Sequence, residues 1–415
     1  MKNKVNIKKT NSYINPYFFF VITFLVTVLL YSLNFSEFTV ALGTQVIIFL
    51  LLAMLFNALL FLVFRKYWAS AVELAKQNTG VRSINTYTLL AIVFLVMGIA
   101  DALYSHGIPV LGQVNYKDYG IPTVHVIMVF CDSFLLLNIA KTYFLTKVRI
   151  KQLFGSSVIA LLPLLFGLSR GTIVILALGI IVLYLMSLRS IVTIKSGLIL
   201  GIALFIGLYL FGISGNYRMN NDYGRTEGVT ESSLILSIGK ANDRFLNSGI
   251  PKPFYWTYIY ATSPIANFHY NTEVSSPQVG TDNTTEFFVV NFLPDFISKR
   301  LYPTYEDDYH AWLITSEFTV TSAFTMPYTF LGWIGVYLFL AYELAFPIVY
   351  LELIKKFAIG YFDLALALVT TIYVLMPFSN FFSFSALSMQ LILPFICNLF
   401  SSRTQIKNYT RKEIS

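Results

Sequence analysis

Charge is what this chain is short of. Asp, Glu, Lys and Arg make up 12% of its 415 residues, about half the ~25% of an ordinary soluble domain. That excludes a water-facing surface over most of the chain. A hydrophobic content of 56% and a mean hydropathy of +0.67 point to an apolar solvent instead. Cysteine is nearly absent too. Cys131 and Cys397 are the only two, so there is no disulfide framework and no metal-binding spacing. Both fall in apolar runs, near opposite membrane faces by the topology below, and a disulfide between them is not expected. Internal repeats and low-complexity tracts are missing. So is strict apolar/polar alternation, which excludes a transmembrane β-barrel.

What the chain does have is a series of continuous uncharged runs, each near the ~20 residues needed to cross a bilayer core. They predict ten membrane helices at about 16–34, 40–64, 86–105, 122–145, 153–169, 171–188, 196–213, 327–350, 360–378 and 384–400. The first reads as an anchor rather than a cleaved signal, because no small-residue cleavage site follows it. The fold class is therefore an all-α polytopic integral membrane protein. Lys and Arg concentrate on alternate connections, 19 of the 29 in all. By the positive-inside rule both termini are cytoplasmic. The formal net charge of +8 is then a topology signal, and no nucleic-acid partner is inferred from it.

Four regions follow: helices one to seven over 1–213, a large loop over 214–326, helices eight to ten over 327–400, and a basic cytoplasmic tail over 401–415. A structureless loop of more than ~15 residues is uncommon, and 214–326 is too aromatic to read as disordered. It predicts an ordered extracytoplasmic cap, with 12 acids against 7 bases. One helix is expected within "ESSLILSIGKANDRFLNSG", from the spacing of Leu234, Ile235, Ile238 and Phe245. A second is expected from Pro294, proline suiting a first turn. A turn is expected at Pro264 and Asn267. A second outer connection, residues 106–125, is rich in turn-forming Gly and Pro.

One charge stands out. In "LFGLSRGTIVIL" (165–176), Arg170 is the only charged residue between Lys151 and Arg189. Those two residues share the cytoplasmic side, so the chain must go out and return between them, and Gly167–Gly171 is the turn of a helical hairpin. An arginine beside hydrocarbon is costly and does not deprotonate. Either it snorkels to lipid phosphate, or its fork and the free amides opening the next helix hold a phosphate.

"GLSRGT" opening a short span resembles the Ser-Arg-Gly element of Wzy-type O-antigen polymerases, the oligosaccharide repeat-unit polymerases. "YWTYIYATSPIANFHYN" (255–271) is similar to the aromatic segment of that family's large periplasmic loop. "SAFTMPYTFLGWIG" (322–335) resembles its approach to the next span, and "GIPVLG…YKDYGIPTVH" its earlier loop. The chain departs from the family in two places. Arg170, Arg218, Arg225, Arg244 and Arg300 all lack the Gly eleven positions on that some members carry, and Pro327-Tyr328 is followed by Thr329 rather than an acid. Residue for residue, the resemblance carries over to Arg170 alone.

The resemblance implies a GT-C-like glycosyltransferase architecture in the bacterial inner membrane. It also implies transfer of a polyprenyl-pyrophosphate-linked glycan to the next lipid-linked repeat unit, with polyprenyl pyrophosphate leaving. A repeat-unit flippase and a chain-length regulator would be its partners. No cofactor is expected, and the sequence has no P-loop or Asp-x-Asp pair. Such chemistry needs cations on the pyrophosphate, a base for the acceptor hydroxyl and a sugar site. Candidate cations are Arg170, Arg218, Arg225 and Arg244, although Asp222 and Asp243 could neutralise the loop arginines. Candidate bases are His310 and Asp308 in "YEDDYHAW", Glu317 and, as an alternative, Glu227. Glu306, Asp307 and Asp308 are as readily a solvated acidic turn as a metal site, and no metal is assigned. Tyr255, Trp256, Tyr258, Tyr260 and Asn267 are candidate sugar contacts, with core packing as the plainer alternative; Tyr270 belongs with them. Inside the predicted spans, His125 and Asp132 share one face and are expected to organise the bundle under the site, with a direct catalytic role as the lesser alternative. Lys141 is expected to snorkel, and Glu343 to face the interior. A glycan ligase shares nearly all these features, and a secondary transporter shares the span count and the buried charges.

Overall fold

The computed structural model describes residues 12–78, 84–116, 118–167, 170–187, 194–277, 280–304 and 310–400. Side chains at 170, 194–197, 199–200, 203–204 and 281–282 lie outside that description. The described residues form helices and no strand apart from one isolated bridge, Ser36 to Ala241.

Helix α1 (Pro16–Ser32) begins where the Asn15 side chain accepts the Tyr17 N–H at 3.0 Å, with Pro16 in the first turn; proline suits that position because its missing N–H would have no partner there. It is followed by α2 (Thr44–Asn78), α3 (Ile84–Tyr104), α4 (Val124–Thr146), α5 (Ile150–Phe166), α6 (Arg170–Ser187) and α7 (Ile194–Asp222). The 214–326 region holds α8 (Leu234–Ile238), α9 (Asp243–Leu246), α10 (Phe254–Val274), α11 (Thr281–Phe292) and α12 (Asp295–Leu301). Then come α13 (Thr325–Phe357), α14 (Phe362–Leu375), α15 (Ser385–Ser388) and α16 (Leu393–Leu399).

Four helices, α2, α3, α4 and α13, are long and apolar enough to cross a membrane by length and composition. On α2, Ile48, Leu51, Leu55, Leu59 and Leu62 form a stripe at helical spacing, each about half exposed. In water that stripe would be an aggregation site; against lipid it is the expected surface. Helix α14 is buried on nearly every side, as a helix apolar all round should be. It packs against α1, α2, α6 and α13. Helices α3 and α5 approach closely because a Cβ on Gly98 would lie 2.8 Å from that of Pro163. Hydroxyls bridge the same interface, Thr88 to Ser156 at 2.9 Å. Small residues and hydroxyl pairs are how membrane helices associate when hydrocarbon lies outside.

Several expectations are corrected. Helix α7 does not stop at residue 213 but runs to Asp222. Its polar last turns are held by the cap: Trp256 Nε1 donates to Asn216 Oδ1 at 2.6 Å, and Asn216 and Asn220 donate to the carbonyls of Val229 and Glu227. The expected helix over 231–249 is two short ones, α8 and α9. Lys240 between them sits at φ 47°, and its carbonyl accepts the Glu37 N–H at 3.0 Å, beside the Ser36–Ala241 bridge. No turn forms at Pro264 and Asn267; both lie inside α10, which is buried along most of its length. The run at 384–400 is helical throughout Ser385–Leu399, as α15, a 3-10 turn and α16 in unbroken succession. Helix α13 is interrupted at Gly332 (φ 60°, ψ −145°), a backbone conformation that favours glycine. As expected, a helix follows Pro294, which serves as the cap of α12.

The 214–326 region is ordered around its own core, in which Ile235, Phe245, Tyr255, Trp256, Ile259 and Phe318 are central. The connection between α1 and α2 adds Phe35 and Phe38 to that core.

Candidate functional site

Two asparagines on α10 set up the first feature. Asn267 donates from Nδ2 to the carbonyls of Phe318 and Val320, both at 2.8 Å, and accepts the Ile314 N–H at 2.8 Å. Asn271, one turn on, donates to the Trp312 carbonyl at 2.7 Å and accepts the Trp312 N–H at 2.9 Å. Together they lace an irregular strap, residues 310–324, onto α10. The strap, the end of α11 and the loop after α14 enclose a cavity of ≈ 370 Å³ lined by Asn291, His310, Thr319, Thr321, Asn380 and Ser383, among others. Its described lining carries amides, hydroxyls, an imidazole and apolar groups but no charged side chain. Asn291 is buried, and its Oδ1 has no partner among the described residues. An unpaired buried acceptor costs about 1–3 kcal/mol.

The second feature lies beyond Ser383. The Asp295 N–H donates to the Ser383 carbonyl at 2.6 Å, and the Asp295 carboxylate accepts from the Ser385 hydroxyl and amide. Asp295 opens α12, and Arg300, later in the same helix, reaches the start of α4, donating to Thr123 Oγ1 at 2.8 Å. Its guanidinium also lies 3.9 Å over the Phe296 ring. Two residues after Thr123, His125 Nδ1 meets Asp101 Oδ2 at 2.7 Å. The other Asp101 oxygen accepts the Ile121 N–H at 2.9 Å. The turn before Arg170 adjoins this pair: a Cβ on Gly167 would lie 3.7 Å from His125 Cε1. Helix α6 opens at Arg170. Leu168 and Ser169, and the Arg170 side chain, lie outside the described residues. The two arms of the expected hairpin are present, and both pack against α4.

The remaining candidates divide. Arg218, Arg225 and Arg244 are exposed, on or beside α7 and α9. Helix α7 packs with α8 and α10, whereas α6 packs with α4, α14 and α15. These three arginines therefore sit on a different group of elements from Arg170. Glu317 lies with them, bonded by the Thr315 hydroxyl and, at 3.0 Å, by the Tyr223 hydroxyl. The Thr315 bond holds the Glu317 carboxyl below its ordinary range, against slight desolvation, which weakens it as a base. Glu227 is likewise held low by the Ser233 amide and hydroxyl. His310 lines the cavity, its ring 4.7 Å from that of Trp312. Asp308, with Glu306 and Asp307, lies outside the described residues.

The aromatic candidates are corrected. Tyr255, Trp256 and Tyr258 are core residues with 0, 2 and 5% exposure. The Tyr255 hydroxyl donates to the Gly239 carbonyl at 2.6 Å and that of Tyr258 to Thr39 at 3.2 Å. A sugar stacks on an accessible ring face, which these residues do not offer. Asn267 is also fully buried, its amide committed to the strap. Tyr260 and Tyr270 are partly exposed.

Inside the bundle, Lys141 does not snorkel. It is buried, donating to Asp363 and to the Gly360 carbonyl, both at 2.6 Å. Asp132 is buried with both carboxylate oxygens unpartnered among the described residues, and His125 turns to Asp101 instead. Glu343 faces the interior, as expected, and accepts from Asn57 at 3.4 Å. Cys131 and Cys397 form no disulfide.

Sequence reasoning missed Asp101, Asn291 and Arg300. Asp101 carried a usable signal, an acid inside the run at 86–105, the same one that marked Asp132. Arg300 and Asn291 carried none, because their significance comes from contacts far along the chain. No family model, curated protein or solved structure matches this chain.

Proposed function

We propose that this protein is a membrane glycosyltransferase that polymerises polyprenyl-pyrophosphate-linked oligosaccharide repeat units, releasing polyprenyl pyrophosphate. In this reading the ten runs are ten crossings of the bacterial inner membrane, both termini are cytoplasmic and 214–326 caps the periplasmic face. The observation that carries it is a neutral amide- and hydroxyl-lined cavity one short helix away from Arg300, which this reading pairs with Arg170 as a cationic mouth. Sugar hydroxyls suit the cavity: His310, Thr319, Thr321 and Ser383 line it, while the Asn291 and Asn380 amides, bonded to the Phe287 and Asn291 carbonyls, shape its wall. The α12 helix connects the Ser383 side to Arg300, and Arg300 stands with the start of α4 beside the turn leading to Arg170.

The chemistry is a displacement at the anomeric carbon. The acceptor hydroxyl attacks, and the bond to the pyrophosphate oxygen breaks. Arg300 and Arg170 stabilise the negative charge on the departing diphosphate, Arg170 aided by the amides of the first α6 turn. The cavity holds the sugar portion away from water.

Purified protein incubated with lipid-pyrophosphate-linked repeat units tests the proposal. The expected product is a ladder of glycan lengths with released lipid pyrophosphate. Glycosylation of an added lipid-core acceptor, with the repeat unit left single, would replace polymerase by ligase. No transfer to either acceptor overturns the glycosyltransferase reading.

A further inference from the structure

We propose that His125, oriented by Asp101, is the general base that removes the proton from the attacking hydroxyl; this rests on the glycosyl-transfer reading above. Four observations carry it. First, the imidazole is fixed through one nitrogen, with Nδ1 2.7 Å from Asp101 Oδ2. Asp101 is itself held, being 1% exposed and bonded to the Ile121 N–H through its other oxygen. Second, the ring cannot swing. Gly120 is so close that a Cβ there would lie 2.5 Å from His125 Cγ, and Tyr119 stands edge-on with ring centroids 5.4 Å apart. Third, the opposite edge is open. The side chain is 24% exposed, and Nε2 has no hydrogen-bond partner among the described residues. Fourth, that edge faces chemistry. Cε1, bonded to Nε2, borders Gly167 just before Arg170, and Thr123, two residues before His125, holds Arg300.

A carboxylate on Nδ1–H leaves the Nε2 lone pair as a proton acceptor and stabilises the imidazolium once the proton arrives. In the step, the hydroxyl oxygen bonds to the anomeric carbon and its proton passes to Nε2. The anomeric carbon–oxygen bond breaks, and its electron pair leaves on the pyrophosphate. His310 has no such arrangement: no described carboxylate holds its ring. Among the described residues, the groups beside His125 are Asp101 from α3 and Tyr119 from the preceding loop, with Arg300 of α12 bonded to Thr123 two residues before it. Asp101 is a positioning residue in this scheme.

The pair also ties the loop before α4 to α3, so the test must separate base from staple. Wild type, His125→Ala and Asp101→Asn, purified and monodisperse, are compared on lipid-linked repeat units for donor binding and for single-turnover transfer. General-base loss predicts a rate drop of roughly 10²–10⁴-fold with donor binding retained. Asp101→Asn should lower the single-turnover rate with donor binding retained, and Asp101→Glu should recover part of it. Added imidazoles should restore His125→Ala in proportion to their basicity. If His125→Ala does not fold, His125→Asn, whose amide nitrogen stands where Nδ1 does and keeps a donor for Asp101, takes its place. Near-normal transfer by His125→Ala, or loss of donor binding with no rescue, would overturn the base assignment while leaving glycosyl transfer standing. Absence of transfer by wild type would instead count against the activity itself.

Discussion

At the residue scale, the two arginines at the mouth differ in how they come to view. Arg170 stood out in the sequence because nothing else charged surrounds it. Arg300 is one loop base among several until the fold brings it 2.8 Å from Thr123, a residue 177 positions away. Arg300→Ala is expected to reduce transfer at least tenfold with normal membrane insertion, since it removes a cation and leaves an exposed position. Arg170→Ala should abolish polymer, and Arg170→Lys should restore it only partly, because an ammonium lacks the bidentate fork. Normal polymer lengths from either alanine variant, at matched expression, would remove that residue from the site. The buried Lys141–Asp363 pair makes a separate prediction. Lys141→Met leaves a buried carboxylate unpaired, which typically costs about 3–5 kcal/mol. Lys141→Met with Asp363→Leu should recover most of the loss in a thermal melt; equal melting of the single and double variants would mean the pair is not coupled.

At the element scale, hydrophobic runs were readable as helices because an apolar stretch of this length has little else to form. Their ends were less so. Helix α7 gains its last turns from side chains of the cap, and α8 and α9 part because the backbone at Lys240 serves the connection between α1 and α2. Neither effect is written locally. The aromatic stretch at 255–260 has the composition of a sugar platform and the periodicity of a buried helix; packing decided between them. Asn267 is the element-scale residue to test. Asn267→Ala strips three strap bonds and leaves the Ile314 amide and two carbonyls without their partner, at about 1–3 kcal/mol for each group that stays buried. Faster hydrogen exchange and proteolysis confined to 310–324 are expected, with reduced transfer through a distorted cavity. Unchanged exchange there would show that the strap is held by other means.

At the scale of the whole molecule, the lysine and arginine bias and the fold make one joint prediction about sidedness. The 106–123 loop, the cap and the loop after α14 should face outward together, and Lys147–Arg149 inward. With both native cysteines changed to serine, a cysteine at exposed Val110 or Leu246 should react with a membrane-impermeant reagent in intact cells, and one at Lys147 only after lysis. The reverse pattern, or labelling of all three, would break the ten-span topology. The neutral cavity and the cationic mouth would then lie on the wrong side for a lipid-linked donor presented outside the membrane.

The measurement that bears most directly on function is transfer by the purified protein from a polyprenyl-pyrophosphate-linked repeat unit, with products separated by size. A ladder accompanied by stoichiometric lipid pyrophosphate, lost in Arg170→Ala and reduced at least tenfold in Arg300→Ala, is the predicted result. Substrate that remains single, with no lipid pyrophosphate released and no transfer to a lipid-core acceptor, would contradict it.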